Sequence, residues 1–183
     1  MNKTGVTLIE ILVVTVIIVI LVGILSFSLI QARSVFQSGD ILVSLQSDAR
    51  LGINHMLTDL RRTAYTQMTI LQNTPSAGID SITYHLPLDG DSDGLPDIVA
   101  DALVWDTTDI TISLDTATSS LIKTVNSNET VLANNVKDIN FFDHNLDATL
   151  YLDELKVIME LEKTSSEGRT HNFISTSIIN MRN

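Results

Sequence analysis

The sequence contains no cysteine. Disulfide scaffolds, thiolate metal sites and cysteine nucleophiles are therefore excluded. It has only three prolines and eight glycines, and no internal repeat or low-complexity linker. Basic residues are scarce: 11 Lys and Arg stand against 22 Asp and Glu, a formal net charge of −11. Phosphate contacts need clustered cations, so the balance argues against nucleic-acid binding by this chain alone. No Lys or Arg occurs between Arg62 and Lys123. The four histidines, His55, His85, His144 and His171, are scattered without metal-ligand spacing. G-x-S-x-G, H-E-x-x-H and phosphate-loop patterns are missing as well. The residues thus give no active site, and the chain reads as a non-enzyme.

What is present is unevenly spread. The 183 residues suit one compact domain plus an extension. A hydrophobic fraction of 44% with only 18% charged residues is unusual for an acidic soluble protein. The excess lies at one end. Ile11 to Ile30 is an uncharged run broken only by Thr15, Gly23, Ser26 and Ser28. As a helix it spans roughly 30 Å, the thickness of a bilayer's hydrocarbon core. In lipid such a segment must satisfy its own backbone, so it becomes helical despite its many β-branched residues.

Three readings of this terminus compete. A cleaved secretory signal needs a short apolar core and a small-x-small site, for which Ser26-Phe27-Ser28 would serve. Yet the run continues to Ile30, and the n-region holds only Lys3. A plain signal anchor has no use for Glu10, a carboxylate set among Leu8, Ile9, Ile11 and Leu12. Such a residue is costly in lipid and is by default functional. The third reading accounts for it. Gly5-Val6-Thr7-Leu8-Ile9-Glu10, after the short basic leader Met1 to Gly5, resembles the processing motif of type IV prepilins, which typically runs Gly-Phe-Thr-Leu-Ile-Glu.

The resemblance implies the following. An integral-membrane prepilin peptidase cuts on the cytoplasmic side between Gly5 and Val6 and methylates the new amine of Val6. The helix is retained and anchors the chain in the bacterial inner membrane as a single pass, with the head outside the cytoplasm. Val6 departs from the usual Phe. Glu10 meets the charged N-terminus of a neighbouring pilin or pseudopilin subunit, fixing register between otherwise apolar helices. About 150 residues beyond the membrane helix, without a Cys pair, resemble the minor pilins or the minor pseudopilins of type II secretion, and Glu10 argues against the tip-most pseudopilin. The rival reading is a membrane-anchored, calcium-dependent surface binding module.

Beyond Gln31 the pattern turns amphipathic. Leu42, Leu45, Ala49, Ile53, Met56, Leu57 and Leu60 recur at three- and four-residue spacing, which predicts one buried helical stripe. Gly39-Asp40 is the expected weak point, and Arg61 and Arg62 suit the helix end. From about Ala64, period-two alternation takes over: Ile82 to Leu86, Ile110 to Leu114, Leu121 to Val125, Val131 to Ala133, Ile139 to Phe142, Leu155 to Leu161 and Asn172 to Met181. Asp115 to Thr118 and Asn126 to Asn128 are the expected hairpin connections. The expected architecture is α+β, a long helix packed on an antiparallel sheet, as in pilin-like heads. Residues 1–5 are the leader, 6–30 the membrane helix, 31–63 its amphipathic half and 64–183 the head. Asp143-His144 reads as a solvated turn, and Trp105 as core or interface.

One constellation in the head carries chemistry. Asp89 to Asp97 reads D-x-D-x-D-G-x-x-D. Alternate carboxylates in a tight loop can converge on a hard cation, with Gly94 permitting the turn. The expected ligands are Asp89, Asp91, Asp93, the Leu95 carbonyl and Asp97, with Asp101 in place of the missing twelfth-position Glu. Nine acids fall between Asp80 and Asp115 with no basic residue among them. Without a cation they repel, so structural Ca2+ is the expected ligand and a solvated acidic loop the alternative.

Overall fold

The computed structural model describes residues 8–71, 81–93, 95–100 and 102–182. The chain divides after Asp40 into two compact units. Helix α1 runs from Leu8 to Leu60, and Gly39 and Asp40, the expected weak point, both lie within it. Arg61 and Arg62 fall just past its end, so its last turn holds no basic residue. In the first unit the apolar side chains from Leu8 to Ile30 are all exposed. Among the described residues, α1 is the one helix long and apolar enough to cross a membrane.

In the second unit the helix meets two antiparallel sheets. A five-stranded sheet has the order β1-β2-β5-β6-β7, formed by Met68–Leu71, Ser81–Tyr84, Ile110–Asp115, Ser120–Val125 and Asn128–Ala133. A three-stranded sheet has the order β10-β9-β8, formed by Thr170–Asn180, Glu154–Thr164 and Val136–Phe142. A small hairpin joins β3 (Ile98–Val99) to β4 (Ala102–Leu103). The α+β class is thus as expected. The tight β6–β7 connection sits at Asn126 and Ser127, with φ of 49° and 66°. Two successive left-handed residues match the twist of a two-residue hairpin.

The core follows the helical stripe. Leu45, Ala49, Ile53, Met56 and Leu60 are buried, while Leu57 only borders the core and Leu42 is exposed. The sheets supply the other wall: Leu155, Val157, Met159 and Leu161 alternate inward along β9 and are fully buried. Burying each such large side chain contributes about 1.5–3 kcal/mol. Gly52 lets β7 approach closely, since a Cβ there would lie 2.9 Å from the Ala133 Cβ.

One polar group sits against this core. Asp59 on α1 pairs with the Lys123 ammonium on β6 and accepts a 2.9 Å hydrogen bond from the Tyr84 hydroxyl on β2. Burial, and then the Asp59 charge, push the Tyr84 hydroxyl's pKa far above its ordinary value. Further down the helix, Asp48 accepts from the Asn135 amide at 3.0 Å, and the Lys163 ammonium reaches the Ser44 hydroxyl at 3.3 Å. These bonds fix the rotation of α1 on the sheets, which apolar contact alone leaves loosely specified.

Lys123→Met should therefore destabilise the chain by about 1–3 kcal/mol, because it leaves a partly buried carboxylate short of its counter-charge. Lys137→Met, which breaks an exposed pair with Glu160 and Glu162, should cost at most about 1 kcal/mol. Denaturant unfolding of the full chain in detergent checks this, and equal midpoints for the two variants contradict it.

Candidate functional site: the acidic loop and the N-terminal carboxylate

The acidic loop leaves the five-stranded sheet after β2 and is tied at its neck. Asp97 N–H donates to the Leu88 carbonyl at 2.7 Å, and Leu88 N–H to the Val104 carbonyl at 2.8 Å. Pro87, buried, pairs by an isolated bridge with half-buried Trp105. Within the neck, Asp93 N–H donates to Asp89 Oδ1 at 3.1 Å and to Asp91 Oδ1 at 3.3 Å. Leu95 N–H donates to Asp93 Oδ1 at 2.8 Å. These are local Asx-type bonds, the reason short acidic residues shape such turns. Ser92 takes a left-handed φ of 60° to complete the curve.

The loop brings together Asp89, Asp91 and Asp93, each offering a carboxylate oxygen within 4.8 Å of the others. Two oxygens on opposite sides of one calcium ion stand about 4.6–5.2 Å apart, twice the usual calcium–oxygen distance. The trio is close enough together for one such ion to be shared, and exposed acidic groups also occur this close without one. Asp97 is not one of the three: its Oδ2 accepts the Gly90 N–H at 3.1 Å. Leu95 contributes the N–H bond to Asp93, and Asp101 and Gly94 lie outside the described residues. Half of the expected ligand set is thus drawn together, and the Asp97 carboxylate reaches back to Gly90, between Asp89 and Asp91.

A second acidic segment has ligand spacing that the alternation of its neighbours hides. Asp143, Asn145, Asp147 and Glu154 occupy the first, third, fifth and twelfth places of a calcium-loop register. The structure assigns these groups otherwise. Asp143 is buried, not part of a solvated turn as its sequence suggested. Its Oδ2 accepts from the Tyr65 hydroxyl and the Asn145 amide, both at 3.1 Å, and its Oδ1 from the Asn145 and Leu146 N–H groups. Burial pushes the Asp143 pKa up, but the bonds from Asn145, Tyr65 and Leu146 outweigh it and hold the carboxyl below its ordinary range. Glu154 accepts the Tyr151 N–H at 3.0 Å. The sixth place, which needs a left-handed glycine, holds Ala148, which has no positive φ. The segment is an Asx-turn hub joining β8 to β9.

Asp147 shows how strongly this hub favours the charged form. The Thr149 hydroxyl donates to its Oδ1 at 2.6 Å and the Lys156 ammonium to its Oδ2 at 3.0 Å. Together with the Thr149 N–H they pull the carboxyl down to about 2.

The N-terminal site has different surroundings. Glu10 lies in the first turn of α1 among exposed Leu8, Ile9, Ile11 and Leu12. Among the described residues no cation pairs with it. The nearby Thr15 hydroxyl bonds back to the Ile11 carbonyl at 2.7 Å, which hides its polarity within the apolar stretch. Gly5 and Val6 lie outside the described residues. No family model, curated protein or solved structure matches this chain.

The depressed pKa of Asp147 sets a pH window. Its folded value of about 2 lies below the unfolded value of about 4. Its contribution to stability is thus complete above about pH 4 and is lost as pH falls through about 2. Lys156→Ala should raise the Asp147 pKa toward the ordinary range. A carboxyl-carbon NMR titration reads this directly, and an unmoved Asp147 midpoint in the variant contradicts it.

Proposed function

We propose that this chain is a structural, non-enzymatic subunit of a type IV pilus or type II secretion pseudopilus, matured by a prepilin peptidase and assembled through its N-terminal helix. The observation that carries the reading is Glu10: a lone carboxylate in an exposed apolar helix, placed at the end of the Gly5 to Glu10 motif. In the inner membrane, the cost of such a group is offset once a neighbouring subunit brings a counter-charge to it. The amine of a mature chain starting at Val6 is such a charge, and methylation leaves it positive. Burial of the Ile, Val and Leu surface between copies then drives lateral packing, while the β-rich second unit becomes the filament's outer surface.

Within that surface the Asp89–Asp93 loop is proposed to hold structural calcium. The ion supplies the positive charge that the neighbouring sequence lacks. Three carboxylates, two of them exposed and Asp89 half-buried, without a bidentate Glu suit the weak affinity of extracellular modules, on the order of 10⁻⁴–10⁻³ M. The same loop supports a second reading, a membrane-anchored calcium-dependent surface binding module, which differs in having no use for cleavage after Gly5.

Mass spectrometry of the native protein should find a chain beginning at N-methylated Val6. An intact Met1, or a start near Leu29, overturns the subunit reading. Glu10→Ala should leave membrane insertion unchanged and abolish incorporation into filaments; normal incorporation refutes the role of Glu10. Calcium titration of the full chain in detergent should show saturable binding that Asp91→Asn weakens at least about tenfold. Heat-silent titration at millimolar calcium, with no shift in melting temperature, sinks the calcium site.

A further inference from the structure

Arg61 and Arg62 follow the end of α1, and Arg182 follows the end of β10. All three are exposed, and among the described residues none forms an ion pair. The nearest acids in the chain are turned elsewhere. Asp59 meets Lys123 and Tyr84, Glu154 accepts the Tyr151 N–H, and half-buried Asp153 pairs with none of the three. The helix dipole favours Arg61 and Arg62 at this end, but Arg182 is not on the helix. Three hydrogen bonds knit the region together. The Thr63 hydroxyl donates to the His85 carbonyl at 2.6 Å, where the chain leaves β2 for the acidic excursion. The Thr63 carbonyl accepts the Arg182 N–H at 2.9 Å, and the Asp153 carbonyl accepts the Met181 N–H at 2.7 Å. The arginines, the neck of the excursion and the β8–β9 connection are therefore neighbours. One surface here is the excursion itself. From Leu86 to Trp105 it carries five Asp and no Lys or Arg, and its β3–β4 hairpin presents Ile98 and Val99, 67% and 66% exposed. The other surface is the arginine group, beside which the β8–β9 connection presents Tyr151 and Leu152, 75% and 56% exposed.

We propose that this end of the second unit is an interface with a second copy of the chain. The acidic excursion of one copy seats on Arg61, Arg62 and Arg182 of the other, with Ile98 and Val99 against Tyr151 and Leu152. The two surfaces are complements of each other. One offers carboxylates beside aliphatic side chains. The other offers guanidinium groups, whose forked donors match carboxylates, beside an aromatic ring and a leucine. Within one chain, among the described residues, no ion pair joins them. The same reciprocity disfavours other occupants. An anionic bilayer or a nucleic acid drawn to the arginines would meet the five Asp of the excursion alongside them. A basic partner drawn to the excursion would meet the arginines. A second copy opposes each sign with the other and covers both apolar groups. All the residues concerned belong to the second unit, so the contact does not depend on where the first unit points.

A two-fold pair makes this contact twice and a head-to-tail row makes it once per copy, with the same match of residues in both. A few side chains from each copy cover less than the roughly 800 Å² per partner of a stable free interface. The contact should therefore form between copies held close together, where effective concentration is high, and not in dilute solution. The excursion's carboxylates are also the proposed calcium ligands, so calcium and the second copy compete for them.

The test uses the full-length chain reconstituted in vesicles with a chelator, and the absence of native cysteine makes it clean. Copies carrying Ile98→Cys or Val99→Cys are mixed with tagged copies carrying Tyr151→Cys or Leu152→Cys and oxidised. A disulfide heterodimer is expected for at least one pair, in excess of that formed with Val131→Cys, a site about as exposed as Leu152. Adding Arg61→Glu and Arg62→Glu to the tagged copy should lower the yield at least about tenfold, and adding Asp91→Lys and Asp93→Lys to the other copy should restore it. Molar salt should lower the yield of the pair without any charge reversal, a readout that needs no further variant to fold. A heterodimer no more abundant than the Val131→Cys control, a yield unmoved by salt, a yield unmoved by the arginine reversal, or a loss that the lysines do not restore each overturns the proposal.

Discussion

The seating of α1 on the two sheets is the constraint from which the rest of the head follows. The contact requires a helix whose inner stripe is apolar and, at Gly52, thin enough for Ala133 to lie against it. Apolar contact alone would tolerate small rotations of a smooth helix. Asp59 removes that freedom, because one carboxylate oxygen must meet both Lys123 of β6 and Tyr84 of β2. The end of β2 and the middle of β6 are thereby tied to one helical position. The acidic loop that leaves β2 inherits a fixed starting point.

The parts of this architecture that were legible in the sequence are those with a repeated physical signal. The stripe from Leu45 to Leu60 and the alternation of Leu155 to Leu161 each repeat over several turns or residues, and both are buried as the spacing predicts. The parts that were not legible are short or depend on distant partners. β1 has four residues and β3 and β4 two each, too few for a period to show. The burial of Asp143 depends on Tyr65, 78 residues away, and nothing local announces that pairing. Gly39-Asp40, expected as a weak point because glycine is a poor helix former, lies inside α1 at a cost of about 1 kcal/mol, and the division into two units falls just after it.

The two acidic segments show how residue spacing and local charge separate. Asp143 to Glu154 has the more complete ligand register, but it lies where a lysine, a tyrosine and several N–H groups already meet its oxygens. Asp89 to Asp93 has the poorer register and lies in the stretch without a cation between Arg62 and Lys123. Spacing counts only what the chain could offer. The neighbouring donors decide what remains for a foreign ion, and a carboxylate satisfied at home gains little from leaving. The trio at Asp89, Asp91 and Asp93 accepts N–H bonds from its own loop as well, so what sets it apart is the lack of a Lys or Arg nearby in sequence, and Asp97 reaches back to Gly90 between Asp89 and Asp91.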